Sequence, residues 1–552
     1  MAKNIAFRIK VEIIETEAEP SSNRRPHEQA DGAFSLVLPE ADELNISALD
    51  RAALDVSFPA LREALSQHLA QAGKKKLQSQ AEPLQVGLEL RKQADDYQVE
   101  GEVGRFCFAL YQAVDAAGTV VCRGAAAFPP RQPREWHQTE GFREEALCLE
   151  ASKRSYRDTT AHLNRYRRQV QGGTPVTTLQ ANAQKEGAQV LDFLERHSQT
   201  VLQQHGFDAQ GRPSEAAVAA VAAGVDGRLE AATVEEQLTA VCQEMAARGL
   251  TPAQVVTARR RATKAVYEDP TQCVNVAVDD VTVKKQKAHR QRRTPPSPAA
   301  SAPAEPVTPA VTPASDHSPT PAASSGRQRP QVANTVARIE QGSKKRFTLS
   351  GSSFGQVLRF VLAFLLTNNL LGGRIHFFTD GYKSLQQTIL AFFAWHPRVW
   401  LLLDWYHLVK KFKEDLSLAC RGRTIRNQHL RPLLRFLWYG LVTEAQQYLT
   451  TIPANDLKDT VPIERLKQYL DRNEGSIPCY ALRRRLGLRN SSSPVESANN
   501  EVTARRQKRN GMSWSKAGSQ ALTALSVLVC NHCQAIWVRK HTIPLRFVNK
   551  AA

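Results

Sequence analysis

An α/β domain built on a mixed sheet and carrying an all-helical insertion, preceded by mostly helical regions, is the architecture expected of this chain. Three features point to it. Short β-branched runs alternate with apolar helical stretches between Cys273 and His407; a helical pattern starts at Glu144 and resumes after a Gly break; and Pro213–Tyr267 has helical periodicity, while the all-helical insertion rests on a resemblance given below. A chain of 552 residues implies about three or four domains.

In chain order, residues 1–139 read as a mixed α/β domain. FRIKVEII from Phe7 and the stretch Tyr97–Ala125 alternate like strands with Gly turns, and 48–72 has helical spacing. Residues 140–195 read as helix-turn-helix-like. A helical pattern from Glu144 leads into SYRDTTAHLNRYRRQ (Ser155–Gln169), breaks at Gly172 and Gly173, and resumes in VTTLQANAQKEGAQV. Thr and Gln on the second helix suit base edges, with Arg165, Arg167 and Arg168 near phosphates; two surface helices without nucleic-acid contacts have the same pattern. Residues 196–270, rich in Ala and Glu and ending in the basic turn Arg259–Lys264, read as a helical linking or oligomerisation region. The stretch 294–330 is low-complexity Pro, Ala, Ser and Thr, which cannot bury a core and is expected to be a disordered loop.

Charge narrows the class of partner. A net charge of +19 favours a long polyanion, because clustered Lys and Arg release its counterions. Two basic runs suit sequence-independent grip: Lys284, Lys285 and Lys287 in the first, and Arg505, Arg506, Lys508 and Arg509 in the second. Nine cysteines without a repeated spacing do not read as a disulfide framework. The N-terminus has no secretory apolar region, and the most apolar stretch, 354–371, is too short and polar for a membrane span. A cytoplasmic protein without membrane association, nucleoid-bound when on DNA, is expected. Cys530 and Cys533 form an isolated C-x-x-C without a second pair, so zinc is not expected and core positions are.

The strand candidates are CVNVAVDD (Cys273–Asp280), QVANTVARIE, RFTLSG, RIHFFTDG (Arg374–Gly381) and VWLLLDWYH (Val399–His407), with helices over 353–370 and 382–395. Asp279 ends the first strand and Asp380 the fourth. Asp280 would point to the opposite face from Asp279. A third acid, Glu496, opens a helix in NSSSPVESANNEVTARRQKRNGMSW, with Pro494 in its first turn and Asn499 and Asn500 one turn on. Cleaving or joining a phosphodiester is served by two divalent ions about 3.5–4 Å apart, and hard ions take carboxylate oxygens. Each acid also has a plain reading: a turn at Asp380-Gly381, a strand-end charge at Asp279, a helix N-terminal charge at Glu496.

The succession VAVDDVTVKKQ, FFTDGYKSL, LLLDWYHLVKKF and SSPVESANNEVTARRQKRNGMSWS resembles bacterial insertion-sequence transposases of the DDE superfamily, distantly mutator-like, with a helical insertion between the second Asp and the Glu. The resemblance spans about 140 to 540 and is strongest over 273–407 and 490–520. It implies an RNase H-like catalytic domain over 271–552, with the first strand beside the fourth, the Pro-rich loop between the first two strands, and the helical insertion at 409–489. It makes Asp279, Asp380 and Glu496 the catalytic, metal-binding triad for Mg²⁺, with Mn²⁺ substituting. The implied activity is DNA strand cleavage and transfer on double-stranded element ends and target DNA, by a homodimer or higher oligomer. Asp404 and His407 stand where relatives have a C/D-x-x-H motif; they are either supporting residues or a strand-end pair capping the next helix. Arginines of the insertion, Arg421, Arg423, Arg426, Arg431, Arg435, Arg483, Arg484 and Arg485, suit a DNA-facing surface. Two other functions fit the same residues: a structure-specific nuclease on this fold, and a catalytically inactive, transposase-derived DNA-binding protein.

Overall fold

The computed structural model describes residues 4–12, 29–37, 46–81, 83, 88–130, 135–152, 154–169, 171–224, 227–286, 330–342, 345–508 and 512–549. Apart from Pro330, the Pro-rich stretch lies outside them, as do Lys287 and Arg509.

The centre is a six-stranded sheet of β1 (Val274–Lys284), β2 (Gln331–Gln341), β3 (Lys345–Gly351), β4 (Ile375–Thr379), β5 (Val399–Leu403) and β6 (Val548–Asn549). Its order is β5-β4-β1-β2-β3-β6. β4 runs parallel to both β1 and β5, and the remaining pairs are antiparallel. The fold is thus α/β with a mixed sheet, as expected; the edge strand β6 was not legible in the sequence.

One boundary is corrected. Asp279 does not end its strand: β1 continues to Lys284, paired along its whole length with β2. Burial explains why. Up to Val278 the strand is covered on both faces, whereas beyond Asp279 only Val281 and Val283 are buried, with Asp280, Thr282 and Lys284 exposed between them. The two acids therefore mark where a doubly buried strand becomes a half-buried one. The ends of the segment outside the described residues are held together, since the Lys285 amide donates to the Pro330 carbonyl at 2.9 Å.

Five helices position the rest: α1 (Val176–Gln204), α2 (Phe354–Thr367), α3 (Trp405–Ala419), α4 (Ser493–Asn499) and α5 (Lys516–Cys530). α2 is buried on nearly every side and fills the core beside the sheet, its start capped by Ser353 Oγ, which accepts from the Gln356 amide. α1 crosses the expected boundary at 195. Its buried stripe, including Leu179, Ala183, Val190, Leu194 and Val201, has helical spacing and packs on α5 and α2. The region 196–270 also divides between two cores. Phe207, Ala217 and Val221 join the core of the sheet, whereas Leu238, Val241 and Met245 join a second core with α3 and the helices Arg423–Trp438, Val442–Thr450 and Val461–Asn473. Periodicity marks each as amphipathic but carries no partner information.

The N-terminal part contains the antiparallel pair Asn4–Glu12 and Gln29–Val37, the helix Ile46–Ala81 and two small sheets. It is fastened to the break before α1 by a reciprocal pair: the Arg105 amide donates to Gln169 Oε1 at 2.6 Å and Gln169 Nε2 donates to the Arg105 carbonyl at 2.9 Å. Among the described residues no single helix is long and apolar enough to cross a membrane.

Gly187 lies where α1 meets α5 so closely that an added Cβ would overlap the Ala521 backbone. Gly→Ala in a helix ordinarily stabilises by about 1 kcal/mol. Here Gly187→Ala is expected to destabilise by about 1–3 kcal/mol, read as a lowered thermal midpoint. Gly355→Ala in α2, which meets nothing within 4 Å, is expected to hold or raise it. Equal shifts in both variants would refute the close packing.

Candidate active site

The parallel pairing sets the site. The last rungs are Phe378 opposite Ala277 and Thr379 opposite Leu403. One or two residues further along these three neighbouring strands come Asp279, Asp380 and Asp404. Neighbouring strands lie about 4.8 Å apart, so three acids meet in a row where β4 and β5 finish. Asp279 and Asp280 are separated as expected: Asp279 Oδ2 accepts from Asn499 Nδ2 at 2.6 Å, while Asp280 Oδ1 accepts from Thr335 Oγ1 at 2.5 Å on β2.

Each acid is held differently. Asp380 is exposed and forms a turn in which its Oδ1 accepts from the Tyr382 amide at 2.9 Å. Gly381, at φ +88, is pressed against the Tyr469 ring, so only glycine fits the turn. Tyr469, from the inserted helix Val461–Asn473, also donates its hydroxyl to the Asp380 carbonyl at 3.2 Å. Asp404 is fully buried and caps α3, accepting from the His407 amide at 2.9 Å and from the Ser492 amide. The strand expected over 399–407 thus stops at Leu403, because Asp404 begins a helix there.

Glu496 enters from α4, across from the row. His407 stands between, with Nε2 3.3 Å from Glu496 Oε1 and Nδ1 3.5 Å from Asp404 Oδ1, an ion-pair separation longer than a hydrogen bond. α4 runs directly into a π turn over Asn500–Ala504, a wider winding that recurs at functional sites. Asn499, three residues after Glu496, lies near the same helix face and reaches Asp279. It is the site residue that sequence reasoning missed, and the E-x-x-N spacing was its signal. Tyr469 had no local signal, because it comes from a distant inserted helix.

Electrostatics follow from this packing. Burial raises the Asp279 carboxyl above its usual range; the Asp280 amide opposes this and the charge of Asp380 adds to it. Burial also acts to raise Asp404, but its bonds with His407 and Ser492 outweigh it and hold the group below the usual range. His407 is raised, first by Asp404, against burial, with Glu496 and Asp380 contributing.

A hard divalent cation suits this donor set. It would offset the carboxylate charges that raise Asp279, and carboxylate oxygens are its natural ligands. Among the described residues, no three His, Cys, Asp or Glu side chains already converge on one ion. Asn499 holds one oxygen of Asp279, Oδ2, and His407 faces one oxygen of Glu496, Oε1.

The basic residues divide sharply. Arg165, Lys284, Lys285 and Lys508 are exposed. Arg167 is buried, its guanidinium over the Phe142 ring at 4.4 Å and 3.3 Å from Glu145, so it braces the helix break and is not free for a phosphate. Arg168 is partly exposed, 3.2 Å from Asp55. Arg505 is half-buried. Arg506 is buried between the rings of Tyr156 and Trp514, at 5.0 and 5.1 Å, and clamps the end of the Glu496 segment to the helical region before α1. Cys530 and Cys533 are both buried.

No protein-family model matches this chain, and a search of curated proteins finds no significant match.

The Asp404–His407 pair yields a pH dependence. His407 has a folded pKa above its unfolded value of about 6.5. Its contribution to stability is therefore complete below that value and lost as pH rises through the folded pKa. Asp404, depressed, contributes above about 3.9 and loses this as pH falls through its folded value. In metal-free protein, Asp404→Asn is expected to lower the His407 pKa measured by NMR. The stability gap between wild type and variant should be widest between about pH 4 and 6.5 and narrow above that range. An unchanged His407 titration in the variant would break the assignment.

Proposed function

We propose that this chain is a metal-dependent DNA transposase of the DDE type, with an RNase H-like catalytic domain interrupted by the helical insertion. The observation that carries this reading is the parallel register that sets Asp380, just past the end of β4, beside Asp279 within β1, with Glu496 facing them across His407. Acids at the carboxyl ends of parallel strands are placed for a ligand in the crevice there.

In this reading Asp279, Asp380 and Glu496 hold Mg²⁺, or Mn²⁺ in its place. The bound ions supply Lewis-acid stabilisation of the attacking and leaving oxygens of a phosphodiester. The protein's own residues set the frame. Asn499 orients Asp279, Tyr469 and Gly381 fix the Asp380 turn, and Asp404 holds α3 so that His407 faces Glu496. His407, its pKa raised first by Asp404, faces the surplus of carboxylates and is placed to hold a proton at Nε2 beside Glu496. Lys284 and Lys285, exposed further along the strand that carries Asp279, offer phosphate contacts, as does Lys508 beyond Glu496. Element ends would be read by the exposed face of α1, where Thr177, Gln180 and Gln184 project.

Asp279→Ala, Asp380→Ala and Glu496→Ala are each expected to cut Mg²⁺-dependent strand cleavage by on the order of 10³-fold or more, with duplex binding in a gel shift retained. Asp280→Ala, which removes only a contact to Thr335, should leave cleavage nearly unchanged. Full cleavage by Glu496→Ala would overturn the triad. Sequence-preferring DNA binding by wild-type protein, with no cleavage under any divalent ion, would favour a non-catalytic DNA-binding protein. Cleavage without strand transfer would favour a nuclease.

A further inference from the structure

A groove of about 780 Å³ opens where the inserted helices Arg423–Trp438 and Tyr480–Arg485 meet the start of α3 and the helix Ala231–Ala247. Five guanidinium groups line it, those of Arg248, Arg431, Arg435, Arg484 and Arg485, against one carboxylate, Glu244. Glu244 is already committed. It lies 2.9 Å from Arg248 and 3.6 Å from Arg485, and it accepts from the Tyr439 hydroxyl at 3.0 Å. Arg431 and Arg484 are exposed and have no acidic partner among the described residues. The groove is therefore built to attract an anion and leaves two cations free to meet it.

Simple anion binding does not explain the lining opposite those cations. Trp405 and Trp438 both line the groove, half-buried, edge to face with centroids 4.9 Å apart. Buried Tyr480 backs both, 4.9 Å from Trp405 and 6.1 Å from Trp438. A rigid aromatic platform under unpaired guanidiniums matches a ligand that is flat and apolar on one part and phosphate-bearing on the next. Stacking on aromatic rings is the sequence-tolerant way to hold a base, and Arg tracks its backbone. A base inside a duplex is stacked on its neighbours and cannot reach such a ring. Position agrees with this. Trp405 directly follows Asp404 on the first turn of α3, and two positions along a helix is more than half a turn, so Trp405 and His407 leave on roughly opposite sides. A strand passing the acids needs only to round that turn to enter the groove.

We propose that the groove binds an unpaired nucleotide of a DNA strand, with the base on Trp438 and Trp405 and the flanking phosphates on Arg431 and Arg484. The site rests on the DNA-processing reading above, but its test is independent of cleavage. Full-length protein in EDTA is titrated with short oligothymidylate, with an abasic phosphodiester chain of equal length, and with a blunt duplex, following tryptophan fluorescence and anisotropy over a salt series. Oligothymidylate is expected to bind tighter than the abasic chain and to quench fluorescence. Trp438→Leu should weaken oligothymidylate about tenfold while leaving the abasic chain unchanged. Arg431→Ala with Arg484→Ala should weaken both chains and reduce the salt slope by about 0.7 for each phosphate that is no longer neutralised. Asp279→Ala should bind as wild type, so an inactive site and an empty groove give different results. Equal binding of oligothymidylate and abasic chain overturns the proposal, as does an oligothymidylate affinity left unchanged by both Trp438→Leu and the paired arginine substitutions. If Trp438→Leu fails to fold, the two exposed arginines and Trp438→Phe, which keeps a ring, carry the test.

Discussion

Like charges placed side by side repel, so a fold that keeps Asp279, Asp380 and Asp404 together must be held by something stronger elsewhere. Here it is the seating of β1 between β2 and β4, with backbone pairing on both edges and apolar cover on both faces up to Val278. α2 fills the space beside that sheet, with Val357, Phe360, Val361 and Phe364 inaccessible to solvent. Non-directional apolar burial provides the stabilisation, and backbone register provides the alignment. The acids play no part in choosing their positions; the strands that carry them do. Removing water from Asp279 in this setting raises its pKa.

The inserted helices are tied to this sheet by contacts at the strand ends rather than along the strands. Tyr469 presses on Gly381 and reaches the Asp380 carbonyl, and buried Tyr480 donates to the Leu403 carbonyl at 2.8 Å. Trp405 joins the aromatic cluster of the insertion while its amide donates to the Asn490 carbonyl at 3.0 Å. The helix that caps on Asp404 thus belongs to the second core and meets the sheet at its first turn.

Net charge proved a poor guide to which cations face outward. Arg483, Arg506 and Arg167 are buried, and each works as a brace: Arg483 donates to the Arg489 carbonyl, Arg506 sits between two rings, and Arg167 lies over Phe142. Guanidinium is planar and weakly hydrated, so it tolerates such sites better than an ammonium does, at the cost of a lowered pKa from burial. Runs such as Arg505–Lys508 therefore mix braces with exposed charges, and helix geometry alone assigns each residue to one or the other.

What the sequence determined by itself was local. β-branched runs gave the five main strands, apolar spacing gave the helices, and acids following apolar runs marked where Asp279 and Asp380 would stand. The S-P-V-E-S opening announced a helix with Glu496 in its first turn. Tertiary structure decided what depends on partners distant in the chain. β1 runs past Asp279 because β2 continues beside it, and Asp404 is a buried cap because Ser492 approaches it from a remote segment. The helices between 196 and 270 split between two cores, and Asn499 becomes a partner of Asp279 only once α4 is laid across the sheet. Periodicity records which face of an element seeks cover; it holds no record of which element will provide it, because burial of apolar surface is indifferent to the identity of its partner.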